Sequence, residues 1–221
     1  MSLREPKQAA TIFYPESDGE PMAETDTHRK LMMELIYELE TFFRDEPEVY
    51  VSGNLMFYFV EGNPRKCIAP DVFVVRGVGN HPRRTFKLWE EKRAPEVVFE
   101  ISSRQTWGDD LQRKWQLYQQ IGVREYFIFD PEYDYLFEPL VAYRLEDNQY
   151  VQLEIVDGRV ISEALGLGLV DTGETLRLYN PQTEQFLPTA MEEADARRQA
   201  ESEVARLRLE VERLRLNSTN N

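Results

Sequence analysis

Val97-Val98-Phe99-Glu100-Ile101-Ser102 is the stretch on which the fold turns. It is a short run of apolar, β-branched and aromatic residues, as in a buried strand, with one carboxylate in its middle. Shortly after it, Gly108-Asp109-Asp110 opens a helix with acidic residues at its positive end, and Gly122 closes it. Tyr126-Phe127-Ile128-Phe129-Asp130-Pro131 then reads as a second buried strand. Strand, helix, strand in this order predicts a right-handed crossover, and so a mixed α/β centre.

Upstream, Leu31, Met32, Leu35, Ile36, Leu39, Phe42 and Phe43 recur at three- and four-residue steps, which predicts a helix over about Thr27 to Arg44. Val49-Tyr50-Val51 and Leu55 to Val60 read as two strands joined by a turn at Gly53-Asn54, and Pro70 to Val75 as a further apolar strand. Downstream, Leu140 to Leu145 and Tyr150 to Ile155 flank turns at Asp147-Asn148 and Asp157-Gly158, and are expected to extend the sheet as antiparallel hairpins. Leu165-Gly166-Leu167-Gly168-Leu169 lacks the context of a phosphate-binding loop and is read as an ordinary loop. From about Ala190 the composition shifts to Ala, Glu and Arg. There Ala200, Val204, Leu207, Val211 and Leu214 form a coiled-coil seam of barely three heptads; the alternative is a single helix lying on its own domain. The expected organisation is a domain over residues 1–187 and a helical tail over 188–221 that pairs two copies into a homodimer.

Composition narrows the function. With 42% hydrophobic residues over 221 positions the chain can build one sizeable core. No apolar run spans a bilayer and the first residues lack a hydrophobic signal segment, so no membrane association and a cytoplasmic location are expected. Cys67 is the single cysteine, which excludes an intramolecular disulfide and, with two histidines, a typical structural zinc site. A net charge of −14 repels polyanions over most of the surface, although Arg83, Arg84, Lys87, Lys92, Arg93, Arg104 and Arg113 cluster in one stretch and could form a local basic rim.

Three side chains resist a purely structural reading. Alternation places Glu100 on one strand face with Val98 and Ser102, and a carboxylate there needs a partner or a metal. Asp71 poses the same problem one strand earlier. On the following helix Lys114 falls inside the arc of Leu111, Trp115, Leu117, Tyr118 and Ile121, while Gln112, Arg113, Gln116, Gln119 and Gln120 take the other side. Asp71 and Glu100 as hard oxygen ligands for Mg²⁺, or Mn²⁺ in its place, with Lys114 stabilising charge or orienting a water, suit phosphodiester hydrolysis. The structural alternative is a buried salt bridge between Lys114 and one acid. On the first helix His28 lies on the apolar arc and is a further candidate, with Glu38 at the edge; Asp109 and Asp110 are read as cap and dipole partners of their helix.

Pro70-Asp71 followed by Glu100-Ile101-Ser102 resembles the PD-(D/E)XK nuclease pattern, with Ser102 where the usual lysine stands. That superfamily includes members whose lysine has moved to the next helix, and Lys114 occupies such a place. The run Pro95 to Ser103, then Asp110-Leu111, Lys114, Tyr118, Gly122-Val123, Glu125-Tyr126 and Asp130-Pro131, is similar to the Uma-type restriction-endonuclease family over roughly residues 20 to 145. The resemblance implies a restriction-endonuclease-like core with flanking helices, and a Mg²⁺-dependent endonuclease acting on DNA. The competing reading is a catalytically inactive nuclease-fold module that self-associates through its tail. Hydrolysis by Ser102 or Ser103 lacks a triad context, and glycoside cleavage by paired acids gives Lys114 no task.

Overall fold

A computed structural model of the chain describes residues 12–17, 19 and 25–219, with side chains described as far as residue 215. Thr25 starts the first helix, α1 (Asp26–Phe42), by accepting the backbone N–H of His28 on its side-chain oxygen, with Asp26 in the first turn favouring the positive helix end. Its buried arc holds His28, Leu31, Met32, Leu35, Glu38 and Leu39.

Strands β1 (Val49–Ser52), β2 (Phe57–Tyr58), β3 (Cys67–Ile68), β4 (Val72–Arg76) and β5 (Phe86–Lys87) lead to the short helix α2 (Leu88–Glu91), followed by β6 (Val97–Ile101). A helix in three continuous parts comes next: α3 (Trp107–Asp109), a π-helical turn over Asp110–Lys114, and α4 (Trp115–Ile121). Gly122 ends it at φ 84°, and the N–H of Val123 closes onto the carbonyl of Tyr118. The chain continues through β7 (Glu125–Phe129), β8 (Leu140–Glu146) and β9 (Gln149–Gln152). The main sheet has the order β1-β4-β6-β7-β8-β9, mixed in direction: β6 and β7 run parallel across the helical connection, and the other neighbours are antiparallel.

Alternation sorts this sheet's two faces. Val97, Phe99, Ile101, Phe127 and Phe129 join α1 in one apolar cluster, whereas Val98, Phe73, Tyr126 and Ile128 join Tyr118 of α4 on the other. Glu100 therefore belongs by parity to the face under the α3–α4 helix, as its spacing predicts.

The expected β1–β2 hairpin does not form. β1 pairs with β4, while β2 joins β3 and β5 in a separate three-stranded sheet. The hairpin at Asp147-Asn148 does extend the main sheet, both turn residues having the positive φ of a tight primed turn. The one at Asp157-Gly158 instead leads into a second sheet, β10 (Arg159–Ser162), β11 (Leu167–Asp171), β12 (Leu176–Asn180) and β13 (Gln185–Phe186). Leu165-Gly166-Leu167-Gly168-Leu169 is thus no loop in its second half: Leu167 and Leu169 are fully buried on β11. Gly168 faces Tyr179 in register, where a Cβ would sit 1.9 Å from the ring, so only glycine leaves room for that aromatic.

The last helix, α5 (Ala190–Thr219), starts with a reciprocal cap: Thr189 N–H donates to Glu192 Oε2, and Glu192 N–H donates to Thr189 Oγ1. Tyr37 holds Glu193 and Arg177 holds Glu192. Every side chain from Ala194 to Arg215 is exposed, so the helix does not lie along its own domain. Among the described residues no helix is long and apolar enough to cross a membrane.

Candidate active site

The register Val72↔Phe99 brings Asp71 opposite Glu100 one step further along the β4–β6 pair, at the carboxyl end of β6. Asp71 is held from two sides. Its Oδ2 accepts the backbone N–H of Ile101 at 2.7 Å, and its Oδ1 lies 3.2 Å from Nε2 of His28 on α1. Burial opposes the charged form of Asp71, but the hydrogen bond and charge of His28, with the charge of Lys114, keep its carboxyl below the ordinary range.

Glu100 is fully buried. Its Oε2 accepts Lys114 Nζ at 2.8 Å and its Oε1 accepts the Tyr118 hydroxyl at 2.5 Å. Burial pushes its carboxyl well above the usual value; Lys114 opposes this, and the nearby charges of Asp71 and Asp110 add to it. The lysine also stands 2.7 Å from Asp110 Oδ1. Burial alone would favour a neutral amine, yet Glu100, Asp110 and Asp71 together reverse that and hold Lys114 protonated. Burial and the neighbouring Glu100 raise Tyr118 well above its ordinary value, so its hydroxyl remains a donor.

All four residues singled out in the sequence, Asp71, Glu100, Lys114 and His28, thus meet at one end of the main sheet. Asp110 joins them, which corrects its reading as a helix-cap residue. Its side chain makes no cap bond; it is fully buried, accepts the Ser102 hydroxyl at 3.0 Å and faces Lys114. Asp109 keeps an ordinary surface role, forked onto Arg113. A signal for Asp110 exists in the sequence: it precedes Lys114 by four residues and so shares its helix face. The π turn spans these two residues, a widening that recurs at functional sites. Ser102, where the nuclease pattern has lysine, is buried and supplies a hydroxyl donor to Asp110 in place of a charge.

Glu38 lies apart from this cluster. It is buried against Arg177 of β12 at 3.5 Å, and burial pushes its carboxyl up to about 8, with Arg177 opposing. Asp130 is likewise structural: its two oxygens accept the N–H groups of Glu132, Tyr133, Tyr135 and Leu136, tying the loop after β7. Of the seven cations that could form a basic rim or simply a solvated charged surface, Arg83, Arg84, Lys87 and Arg113 pair with Glu91, Glu16, Glu90 and Asp109. Arg104 stays exposed in the turn just after Ser102.

Among the described residues no three His, Cys, Asp or Glu side chains form a ready-made metal cage. The donor chemistry nevertheless fits a hard divalent cation. Asp71, Glu100 and Asp110 gather around one ammonium, and the charges of Asp71 and Asp110 add to the rise that burial gives the Glu100 carboxyl. Mg²⁺ is commonly held by one or two carboxylates and retained waters rather than by an all-protein cage.

A mixed α/β sheet with flanking helices and an acid–lysine cluster at the end of adjacent strands is the architecture of a restriction-endonuclease-like domain. Residues 6–182 match the Uma2 family model, described as "Putative restriction endonuclease", and the chain belongs to that family. A crystal structure from Anabaena variabilis, described as a putative nuclease belonging to DUF820, is similar over 68% of this chain and 81% of its own, with a TM-score of 0.48 and 15% identity. No curated protein matches the chain.

Proposed function

We propose that the chain is a metal-dependent endonuclease that hydrolyses DNA phosphodiester bonds at the Asp71–Glu100–Lys114 cluster. The observation that carries this reading is the single ammonium of Lys114 within 2.8 Å of Glu100 and 2.7 Å of Asp110, with Asp71 just before the adjacent strand β4. A plain structural ion pair needs one acid per base; a surplus of buried carboxylates calls for a further cation. Mg²⁺, or Mn²⁺ in its place, held by Asp71 and Glu100 would neutralise charge on the attacked phosphate and acidify a bound water.

The chain's own residues divide the remaining work. An ammonium has three N–H donors; Lys114 gives one to Glu100 and stands in ion-pair contact with Asp110, which leaves donor capacity for a phosphate oxygen or the attacking water. His28 acts through Asp71, fixing the direction of its carboxylate. Tyr118 does the same for Glu100. Exposed Arg104 offers a phosphate contact at the site's edge.

Incubation with supercoiled plasmid and Mg²⁺ or Mn²⁺ tests the reading. Nicking is expected, with Asp71→Asn, Glu100→Gln and Lys114→Ala each slowing it by about a hundredfold or more. Nicking by the wild type that these variants leave untouched would refute the assignment. The inactive-module reading draws on the absence of a ready-made cage among the described residues. It predicts no Mn²⁺ binding by calorimetry and no metal-stimulated nicking.

A further inference from the structure

The exposed part of α5 carries a pattern that specifies its occupant. Val204, Leu207, Val211 and Leu214 are 46–54% exposed, and with Ala200 they follow the four-three spacing of a two-stranded seam. Val204 and Val211 then take the a positions, and Ala200, Leu207 and Leu214 the d positions. β-branched residues at a with leucine at d favour two parallel strands. Charge agrees independently. The g positions are Glu203 and Glu210, and the following e positions are Arg208 and Arg215. In a parallel, in-register pair each g residue faces the e residue five places on in the other strand, giving Glu203 with Arg208 and Glu210 with Arg215. An antiparallel pair would set g against g and e against e, hence glutamate against glutamate and arginine against arginine. One orientation is complementary and the other repulsive.

We infer that α5 pairs with α5 of a second copy of this chain as a parallel, in-register, two-stranded coiled coil. The inference is independent of the nuclease reading, since it uses no residue of the candidate active site. The capping box at Thr189 and the contacts of Glu192 and Glu193 fix the helix's origin on each domain, so a parallel seam holds both domains at the same end. The helix is about 45 Å long at 1.5 Å per residue, and only the stretch from Ala200 to Leu214 carries the seam. So short a seam gives a dimer that depends on concentration.

The test is the mass of the full-length protein by sedimentation from low to high micromolar concentration. The wild type is expected to pass from monomer to dimer, and Leu207→Asp/Leu214→Asp to stay monomeric with an unchanged melting profile of the domain. Leu209, at 69% the more exposed but on an f position, is the control: Leu209→Asp should still dimerise. Arg208→Glu should weaken the dimer, and Glu203→Arg added to it should restore the association. In a Cys67→Ser background, Ala200→Cys, a d position at the end of the seam, should oxidise to a symmetric interchain disulfide, which an antiparallel pair sharing the seam cannot form because its two copies of residue 200 lie at opposite ends. A wild type that remains monomeric throughout, a dimer that survives Leu207→Asp/Leu214→Asp, equal loss with Leu209→Asp, or no disulfide through Ala200→Cys would each overturn the proposal.

Discussion

Lys114 Nζ lies 2.8 Å from Glu100 Oε2 across a helix-to-strand contact in which the glutamate is fully buried and the lysine nearly so. Removing the base from such a pair leaves a buried charge without compensation, and here Asp71 and Asp110 would add to the repulsion. Lys114→Met is therefore expected to destabilise the fold by about 3–5 kcal/mol at neutral pH, read by urea denaturation. Lys114→Arg keeps the charge and should recover much of that stability. It should not recover cleavage, because a planar guanidinium cannot present donors as a compact ammonium does. A Lys114→Met protein as stable as the wild type would show that the lysine does not hold the acids together.

Asp110→Asn keeps the shape of a residue that meets Lys114 on one oxygen and the Ser102 hydroxyl on the other, while deleting its charge. With one acid fewer, the lysine is held more by Glu100, and the negative charge available to a cation falls. Mn²⁺ affinity measured by calorimetry should drop by roughly tenfold or more, as for other groups that orient and charge a metal's ligands. Unchanged affinity would reduce Asp110 to a packing role.

Glu38 gives a pH test remote from the site. It shares Arg177 with Glu192, whose carboxylate accepts an N–H of that guanidinium at 2.9 Å while Glu38 makes only an ion pair with it. In the unfolded chain Glu38 titrates near 4.5, whereas in the fold burial lifts it to about 8. Between these values the folded state binds more protons than the unfolded one, so stability must fall as pH rises through that window, by at most about 1.4 kcal/mol per pH unit. Glu38→Gln removes the titration. Its advantage over the wild type should be small near the acid end of the window and largest above about pH 8. Parallel stability curves for the two proteins would contradict this.

How much of this was legible follows from what each signal depends on. The burial of Glu100 and the inward aspect of Lys114 were readable because strand and helix periodicities are local, and packing against α1 and Tyr118 follows the same alternation. Asp110 was misread because an acid in the first turn of a helix has an ordinary explanation in the helix dipole, and nothing in the sequence marks the π turn that accompanies its burial. The sheet that a short alternating strand joins is decided by partners far along the chain. β2 therefore joins a sheet other than the one its hairpin reading implies, the turn at Asp157-Gly158 leads into a second sheet instead of extending the first, and β11 hid behind the glycine that Tyr179 requires. The Glu38–Arg177 contact joins α1 to β12, and neither residue announces the other.

Gly53 is the least conspicuous residue that positions the site. It follows β1, where a Cβ would fall 2.1 Å from the carbonyl oxygen of Asp71 and 2.8 Å from Cδ1 of Ile36. The next residue, Asn54, donates its N–H to the Pro70 carbonyl at 2.8 Å, so this backbone and the one that carries Asp71 are locked together. Ile36 has a side chain that can turn aside, but a carbonyl in a paired segment cannot. Gly53→Ala must then push the Asp71 segment away from Ile101 and His28, at a cost of about 1–3 kcal/mol. Cleavage should suffer with it, since a small displacement of a reacting group is costly in rate. Gly108→Ala is the matched control: on α3, with nothing near its Cβ position, it should be neutral or stabilise by about 0.5–1 kcal/mol. Thermal melts and plasmid nicking on the pair decide the matter, and a Gly53→Ala protein with wild-type stability and rate would mean that this approach does not hold Asp71 in place.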